Sequence, residues 1–292
     1  MQLAHISDLH VADFESVTLR DFLNKRVTGG INLLTGRRGA HPLDLCERLV
    51  EDLTGQDLDH VVVTGDVTNL SLPGEFQRAA RLLRPLGGYE RLTVVPGNHD
   101  VYTAGAETQH RFESYFGYLL FGAESQPADW VYPAVKDLGD TVIVGLSSAH
   151  KTPMFTAWGW VGEDQLGRLE QRLAEVPHLE RKTKVALVHH NLHPRDAWHE
   201  HAAQLKDRTE VIAALHRLRF DLLLHGHTHR AHQFVVERDG HTLAIVGSGS
   251  STRQSEDPGR IARYNVYSTE GSRVRLRTRV YVPSQRKFDW MP

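Results

Sequence analysis

Six short apolar runs, rich in β-branched residues, constrain the fold of this chain more than any other feature. They lie at residues 2–6, 60–64, 92–96, 141–146, 184–188 and 221–225. Runs of this length that are apolar on both sides are typical of strands buried on both faces of a sheet. Helix-like stretches at 42–53, 74–86, 163–175 and 208–219 separate several of these runs. Alternating strands and helices predict a layered α/β fold.

The C-terminal part of the chain has a different pattern, because strand-like runs follow one another there without helices between them. These runs lie at 233–237, 242–247, 263–268 and 273–281, and they are joined by turns such as residues 238–240. We interpret them as a meander that forms a second sheet. The expected architecture is therefore two β-sheets sandwiched by helices. A chain of 292 residues is within the range of a single α/β domain, and we treat residues 1–292 as one domain.

Polar side chains follow five of the six early runs, at the point where each strand is expected to end. The clusters are Asp8-Leu9-His10, Gly65-Asp66, Gly97-Asn98-His99-Asp100, His189-His190 and Gly226-His227-Thr228-His229. Taken singly, the first two are as typical of chance or of an ordinary turn as of a functional site. Ligand sites in α/β sheets gather at the carboxyl ends of strands. All five clusters in that position therefore predict one shared site.

The residue types of these clusters indicate a metal centre. Carboxylate, imidazole and amide oxygen ligands suit manganese, iron or zinc. Because the one cysteine, Cys46, lies in none of the clusters, a thiolate zinc site is excluded. The potential ligands outnumber what one ion needs, which predicts two transition-metal ions about 3.5–4 Å apart and bridged by a carboxylate. Such a pair activates water for attack on a phosphate ester.

The five clusters, in this order, resemble the signature blocks of the calcineurin-like metallophosphoesterases. The resemblance implies a four-layer α/β/β/α sandwich of two mixed sheets flanked by helices. It also implies a division of the ligands between two metal ions. One ion would be held by Asp8, His10 and His229, the other by Asn98, His189 and His227, with Asp66 as the bridge. His190 stays open as the alternative to His189.

The resemblance also implies roles for residues beside the metal ions. His99 would contact the substrate phosphate, together with Asn98, and would protonate the leaving oxygen. Asp100 would orient His99. His225, just before the last cluster, is either a pocket residue or a structural histidine at the end of a strand.

Three segments resemble the bacterial class III cyclic-nucleotide phosphodiesterases and the related glycerophosphodiesterases in particular. These are residues 97–100, residues 226–229, and residues 160–162 with the helix-like stretch that follows them. The resemblance implies a phosphodiesterase of small phosphodiesters such as cyclic nucleotides. A homodimer is common among the related enzymes, and the sequence leaves the oligomeric state of this chain open.

The charge balance limits the class of partner. A formal net charge of -2 and a pI of about 6.8 provide no overall positive field for a nucleic-acid backbone. We therefore predict no nucleic-acid surface. The N-terminus lacks signal-peptide features, and no apolar run reaches the roughly 18 residues that cross a bilayer. The expected location is cytoplasmic.

Two segments keep other functions open. Residues 19–41 carry several arginines and lysines, and are either a lid or recognition insertion or a plain connection. Residues 111–121 are dense in aromatic side chains, which contact substrate, form a dimer contact or belong to the core; Trp158 and Trp160 are similarly ambiguous. These segments favour, as an alternative, a pyrophosphatase of a nucleotide-linked lipid precursor of the UDP-diacylglucosamine type. A DNA exonuclease or repair phosphoesterase agrees less well with the charge. A non-catalytic scaffold is disfavoured because no ligand position is lost.

Overall fold

The computed structural model describes residues 1–13, 41–153, 156–193, 203–270 and 273–291. Within this part the strands form two six-stranded sheets. The first sheet contains β1 (Gln2–Ile6), β2 (His60–Val63), β3 (Leu92–Val94), β10 (Arg263–Glu270), β11 (Arg273–Val282) and β12 (Lys287–Trp290), in the order β12-β11-β10-β1-β2-β3. The second sheet contains β4 (Ala134–Asp137), β5 (Thr141–Gly145), β6 (Thr183–Leu187), β7 (Leu222–His225), β8 (Ala231–Arg238) and β9 (His241–Ser248), in the order β4-β5-β6-β7-β9-β8.

Both sheets are mixed. Strands β1, β2 and β3 run parallel to one another, whereas β10 pairs antiparallel with β1 through registers such as Leu3↔Tyr267. In the second sheet β5, β6, β7 and β9 are parallel, and the edge strands β4 and β8 are antiparallel to their neighbours. The parallel strands in the centre of each sheet therefore end at a common edge.

Seven α-helices accompany the sheets in the described residues. They are α1 (Leu43–Thr54), α2 (Pro73–Leu83), α3 (Ala104–Thr108), α4 (Arg111–Phe116), α5 (Tyr118–Phe121), α6 (Glu163–Ala174) and α7 (Arg208–Arg217). Short 3-10 turns lie at Arg84–Leu86, Pro127–Asp129 and Leu179–Arg181. Helix α1 shows why the pattern predicts a helix: Leu45, Leu49 and Leu53 recur every four residues and are all buried.

The alternation of side chains along the second sheet separates two layers of core. In β5, Ile143 packs into the core shared with the first sheet, whereas Val142 and Val144 pack on the other face. That other face is covered by α6, through Leu169, and by α7. The outer face of the first sheet is covered by α1 and α2. The four-layer α/β/β/α sandwich is therefore confirmed.

The prediction that the C-terminal strands form a sheet of their own is wrong. Strands β8 and β9 extend the second sheet, and β10, β11 and β12 extend the first. A two-residue alternation shows which face of a strand is buried, but its partner strand depends on contacts across the whole chain. Strands β4 and β12 and the three short helices of residues 104–121 were also not predicted.

The sequence leaves open the roles of segments 19–41 and 111–121, and the structure describes the second of them far more completely than the first. Of the 19–41 segment only His41 lies within the described residues. In the 111–121 segment Phe112, Phe116, Leu119 and Leu120 are buried in the core shared by both sheets. The interpretation of that segment as core is therefore correct for these four side chains. Tyr118 is an exception, with an exposed fraction of 41%.

Candidate metal centre

Five of the seven candidate ligands have backbones in the left-handed region. Their φ angles are 55° for Asp8, 48° for His10, 53° for Asp66, 72° for His227 and 52° for His229. This region is uncommon for residues other than glycine, and such conformations persist only where the surrounding structure enforces them. Here they turn the chain sharply at the end of a strand, which directs successive polar side chains to the same edge.

Glycines next to the ligands allow the loops to approach one another closely. A Cβ atom at Gly226 would lie 1.9 Å from Ser7 Oγ and 2.6 Å from Asp8 Oδ2. A Cβ atom at Gly97 would lie 2.2 Å from Asp66 Oδ1. Only hydrogen fits in these places, so the glycines of the clusters are required for packing between loops.

The first group of potential ligands is formed by Asp8, His10, Asp66 and His229. One ligand atom of each lies within 4.8 Å of one in every other member. The Nε2 atoms of His10 and His229 are 2.9 Å apart, and His229 Nε2 is 3.3 Å from Asp8 Oδ1. His10 Nε2 is 3.7 Å from Asp66 Oδ2.

The second group is formed by Asp66, His189 and His227, again with ligand atoms within 4.8 Å of one another. His189 Nε2 is 3.4 Å from Asp66 Oδ2, and His227 Nδ1 is 3.2 Å from His189 Nε2. The side-chain oxygen of Asn98 lies 3.1 Å from the same His189 nitrogen. Asp66 Oδ2 therefore lies between the two groups, where a bridging ligand is expected.

The structure distinguishes His189 from His190. His189 Nδ1 lies 2.7 Å from the carbonyl oxygen of Thr64. A carbonyl only accepts, so Nδ1 donates its proton and Nε2 is the nitrogen that faces the cluster. In His190 both ring nitrogens have hydrogen-bond partners in the fold, the Ser148 hydroxyl at 2.8 Å and the Ala157 carbonyl at 3.1 Å. His189 is thus the one with a nitrogen directed at the group.

The donor set fits transition-metal ions. Asp8 and Asp66 are fully buried, and in the described part of the chain the ionisable side chains beside them are histidines rather than lysine or arginine. Two buried carboxylates in one small volume need positive charge between them. Facing imidazole nitrogens and carboxylate oxygens supply the ligand types that manganese, iron and zinc bind.

The electrostatics of the histidines agree with this fit. Burial, reinforced by the neighbouring histidines, holds the pKa of His10 well below its usual range and lowers the pKa of His227 to about 3. Both rings are therefore neutral and offer lone pairs near neutral pH. Burial works to lower the pKa of His189, but the Asp66 carboxylate, together with Asp8 and the hydrogen bond to Thr64, outweighs burial and raises this pKa to about 9. Metal binding at His189 therefore has to displace a proton.

His99 lies beside the groups and belongs to neither. Its backbone N–H donates to Asp66 Oδ1 at 2.8 Å, and its Nδ1 lies 2.6 Å from the Asn69 carbonyl oxygen. Its ring meets His10 edge-on at 4.9 Å between centroids and stacks on Tyr102 at 5.3 Å with an interplanar angle of 17°. His99 is half-buried, so part of its side chain is accessible to solvent. Tyr102 was not predicted, since nothing in its sequence context indicates the stack.

Asp100, which is expected to orient His99, accepts hydrogen bonds mainly from the backbone of the neighbouring loops. Its carboxylate accepts hydrogen bonds from the backbone of Gly97 at 2.9 Å, of Val67 at 3.3 Å and of Thr68 at 2.8 Å, and from the Thr68 hydroxyl. Burial raises the pKa of Asp100 to about 7, and the Asp66 charge adds to this effect. Asp100 therefore fixes the loop that carries Asn98 and His99, and it positions His99 through the backbone.

The remaining candidates are placed as follows. His225 is buried, its Nδ1 lies 3.1 Å from the Gly226 carbonyl oxygen, and it belongs to neither ligand group. Lys206 Nζ lies 3.4 Å above the ring of Trp158, while Trp160 is 49% exposed.

One histidine that no motif indicated, His41, lies next to the first group: a ring nitrogen of His41 is within 4.8 Å of one in His10 and one in His229.

Among the described residues, the helices are too short or too polar to cross a membrane. The cytoplasmic location stays a prediction from the sequence, and the oligomeric state stays open.

Comparison with known proteins gives a family and a fold. A family model described as calcineurin-like phosphoesterase matches residues 1–231. A comparison with curated proteins finds no match. Among solved structures, the purple acid phosphatase PPD1 of yellow lupin (Lupinus luteus) is 12% identical with a TM-score of 0.63; the match covers 99% of this chain and 52% of the phosphatase. This chain therefore spans about half the length of that protein, and the likeness shows the fold alone.

Two smaller proteins are matched over most of both chains. Vacuolar protein sorting 29 of Cryptosporidium parvum is 15% identical with a TM-score of 0.43, covering 99% of this chain and 96% of that one. A predicted phosphoesterase of Streptococcus pneumoniae is 12% identical with a TM-score of 0.38, covering 99% and 91%. Because the family model spans most of the sequence and includes every candidate ligand, the protein belongs to the calcineurin-like phosphoesterase family.

Proposed function

We propose that the protein is a metal-dependent phosphodiesterase that hydrolyses small phosphodiesters such as cyclic nucleotides. The observation that carries the metal-dependent part is the position of Asp66 Oδ2, 3.7 Å from His10 Nε2 and 3.4 Å from His189 Nε2. One carboxylate oxygen shared by two groups of histidines is the arrangement that a pair of metal ions requires. The family acts on phosphate esters, which agrees with this chemistry.

The ligands have distinct tasks in this proposal. Asp8, His10 and His229 would hold one ion, Asn98, His189 and His227 would hold the other, and Asp66 would be shared by both. Two such ions, when bound, polarise the phosphoryl oxygens and lower the pKa of water between them. His227 and His229 are partly exposed, whereas the remaining ligands are buried. Substrate is therefore expected to approach from the side of these two histidines.

His99 is proposed to handle the proton of the leaving group. Its Nδ1 donates to the Asn69 carbonyl, because a carbonyl oxygen only accepts, so Nε2 is the nitrogen that exchanges a proton with substrate. The stack on Tyr102 and the hydrogen bond to Asn69 fix the plane of the ring. A fixed ring beside the metal ions orients its donor before the substrate arrives.

The preference for a small diester rests on the resemblance of residues 97–100, 160–162 and 226–229 to cyclic-nucleotide phosphodiesterases. The lipid-pyrophosphatase alternative rests on the basic segment 19–41, of which only His41 is described, and on an apolar lip at 111–121, where Phe112 and Phe116 are buried in the core. The exonuclease alternative needs a positive surface that a net charge of -2 does not favour. Neither alternative has a supporting contact among the described residues.

The test compares esters on protein stripped with chelator and then reloaded with manganese. We expect cleavage of bis-p-nitrophenyl phosphate to return with the metal and to exceed that of p-nitrophenyl phosphate. Cyclic nucleotides, UDP-diacylglucosamine and single-stranded DNA are then compared as substrates. Preferred cleavage of the lipid or of DNA would replace the proposal by the corresponding alternative.

Variants of two aspartates provide the matched comparison. Asp66→Asn keeps the shape of the bridging side chain and removes its charge, so we expect loss of metal loading and of activity. Asp57→Asn makes the same change at an exposed residue and should leave both unaltered. Full activity in Asp66→Asn would contradict the two-metal arrangement.

A further inference from the structure

We propose that His41 is an additional metal ligand, which extends the first group to a three-histidine edge made of His10, His41 and His229. This inference rests on the metal centre proposed above. The motifs of the sequence contain seven candidate ligands, and His41 is in none of them.

His41 lies next to two histidines of the first ligand group. His41 lies two residues before α1 and is half-buried. Its ring centroid is 4.8 Å from that of His10, at an interplanar angle of 60°, and 5.6 Å from that of His229, at 85°. One nitrogen of each of the three rings lies within 4.8 Å of one in the other two. Ligands on opposite sides of a transition-metal ion are separated by about 4.2 Å, twice a bond of about 2.1 Å, so the three rings are close to coordinating distance.

The hydrogen bonds of Thr252 determine which ring nitrogen of His41 carries the proton. Its Nδ1 lies 2.9 Å from the hydroxyl oxygen of Thr252. That hydroxyl has a single proton, and it lies 2.9 Å from the carbonyl oxygen of Leu9 and 3.3 Å from that of Asp8. Because carbonyl oxygens only accept, the hydroxyl donates to them and accepts from His41. Nδ1 of His41 therefore carries the proton, and Nε2 carries the lone pair.

This arrangement is the one found at histidines that bind metals. A metal-binding imidazole commonly donates its second N–H to an oxygen, which fixes the tautomer and the direction of the ring. His189 in the same centre has this arrangement, with Nδ1 donating to Thr64 O at 2.7 Å. Thr252 is fully buried and bonded to the loop that carries Asp8, so the support of His41 is part of the centre itself.

Packing of an aromatic ring against two others would also place His41 here, and the experiment has to separate the two roles. His41→Phe keeps a ring and removes both nitrogens. His41→Asn keeps a hydrogen bond to Thr252 through its amide and removes the nitrogen that carries the lone pair. The matched control is His178→Asn, which changes an exposed histidine outside the centre.

The measurement is competition between protein and a chromophoric chelator for cobalt(II) or manganese(II), with the visible spectrum of the cobalt form as a second readout. We expect both His41 variants to lose one of two ions at least about tenfold more readily than the unaltered protein, with a changed cobalt spectrum. The His178 variant should behave as the unaltered protein. Thermal unfolding of the metal-free forms checks that each variant folds.

Affinities within twofold of the unaltered protein, with an unchanged cobalt spectrum, would overturn the inference. Weaker metal binding in His41→Phe alone would also overturn the inference. His41→Asn lacks the same lone pair, so it should bind metal as weakly as His41→Phe. If the unaltered protein binds no second ion, the metal centre itself fails. The two failures are therefore distinguishable.

Discussion

A methyl group at Gly97 is expected to disable the metal centre without touching a ligand. The Cβ atom of Gly97→Ala would lie 2.2 Å from Asp66 Oδ1 and 2.3 Å from Asp66 N. Ordinary contact begins near 3.4 Å, so one of the two loops has to move by about 1.2 Å. Asp66 N belongs to the backbone and cannot rotate aside, so a change in the Asp66 side chain alone does not relieve the contact.

The size of this shift determines how much metal affinity and stability the variant is expected to lose. Metal sites tolerate ligand displacements of about 0.2 Å, several times less than the movement required here. We therefore expect metal affinity to fall by at least about 100-fold, beyond the usual effect of altering a residue that only supports a ligand. Overpacking should also lower the free energy of unfolding by about 1–3 kcal/mol. In a domain of this size each kcal/mol lowers the Tm by about 2–4 °C.

The assay is a chelator competition for manganese, together with thermal unfolding of the metal-free protein. Gly105→Ala is the matched control, because a Cβ atom at Gly105 meets nothing within 4 Å and Gly105 lies in helix α3. That variant should bind metal normally and be as stable as the unaltered protein or slightly more stable. Normal metal affinity in Gly97→Ala would refute the reasoning, since it would show that the loops accommodate the methyl group.

Three further predictions concern single side chains. His99→Ala should keep both metal ions and lower kcat by about 100- to 1000-fold, most severely for esters with poor leaving groups, and loss of a metal ion instead would contradict its proposed role. Asp100→Asn should lower the free energy of unfolding by about 2–4 kcal/mol in urea titrations, because an amide cannot accept all the bonds of the carboxylate; unchanged stability would contradict the anchoring role. Burial, with the charge of Lys136 adding to it, lowers the pKa of His60 from 6.5 to about 3. Below pH 6.5 the unfolded chain takes up a proton that the folded protein refuses until about pH 3, so stability is fully present above pH 6.5 and falls as the pH decreases. His60→Gln should reduce this slope between pH 7 and pH 5, and the exposed His178→Gln should not; equal slopes in all three proteins would exclude His60 as a cause.

The parts of the fold that depend on local pattern were predictable. Strand β1 has the predicted bounds, and α1 differs from its prediction by one residue at each end. The pairing of β10 with β1 joins residues more than 250 positions apart, and no local pattern encodes it. This is why the C-terminal strands were assigned to the wrong sheet.

The candidate site shows the same division. Asp66 and His189 lie in clusters whose residue types already indicate ligands, and the structure brings them together. The bonds of Asp100 go mainly to backbone N–H groups, which every residue has and a sequence does not distinguish. His41 stands alone in the sequence, so neither spacing nor neighbours indicate its place beside His10.

The candidate ligands come from both sheets. Asp8, His10, Asp66 and Asn98 follow strands of the first sheet, whereas His189, His227 and His229 follow strands of the second. His10 and His229 are separated by 219 positions along the chain, so an ion bound by both would cross-link its distant halves. At a free-metal concentration 100 times the Kd, one such ion adds about 2.7 kcal/mol to the free energy of unfolding. A metal ion bound by ligands from both sheets would therefore also hold the two sheets together, and the stability of the fold would depend on the concentration of free metal.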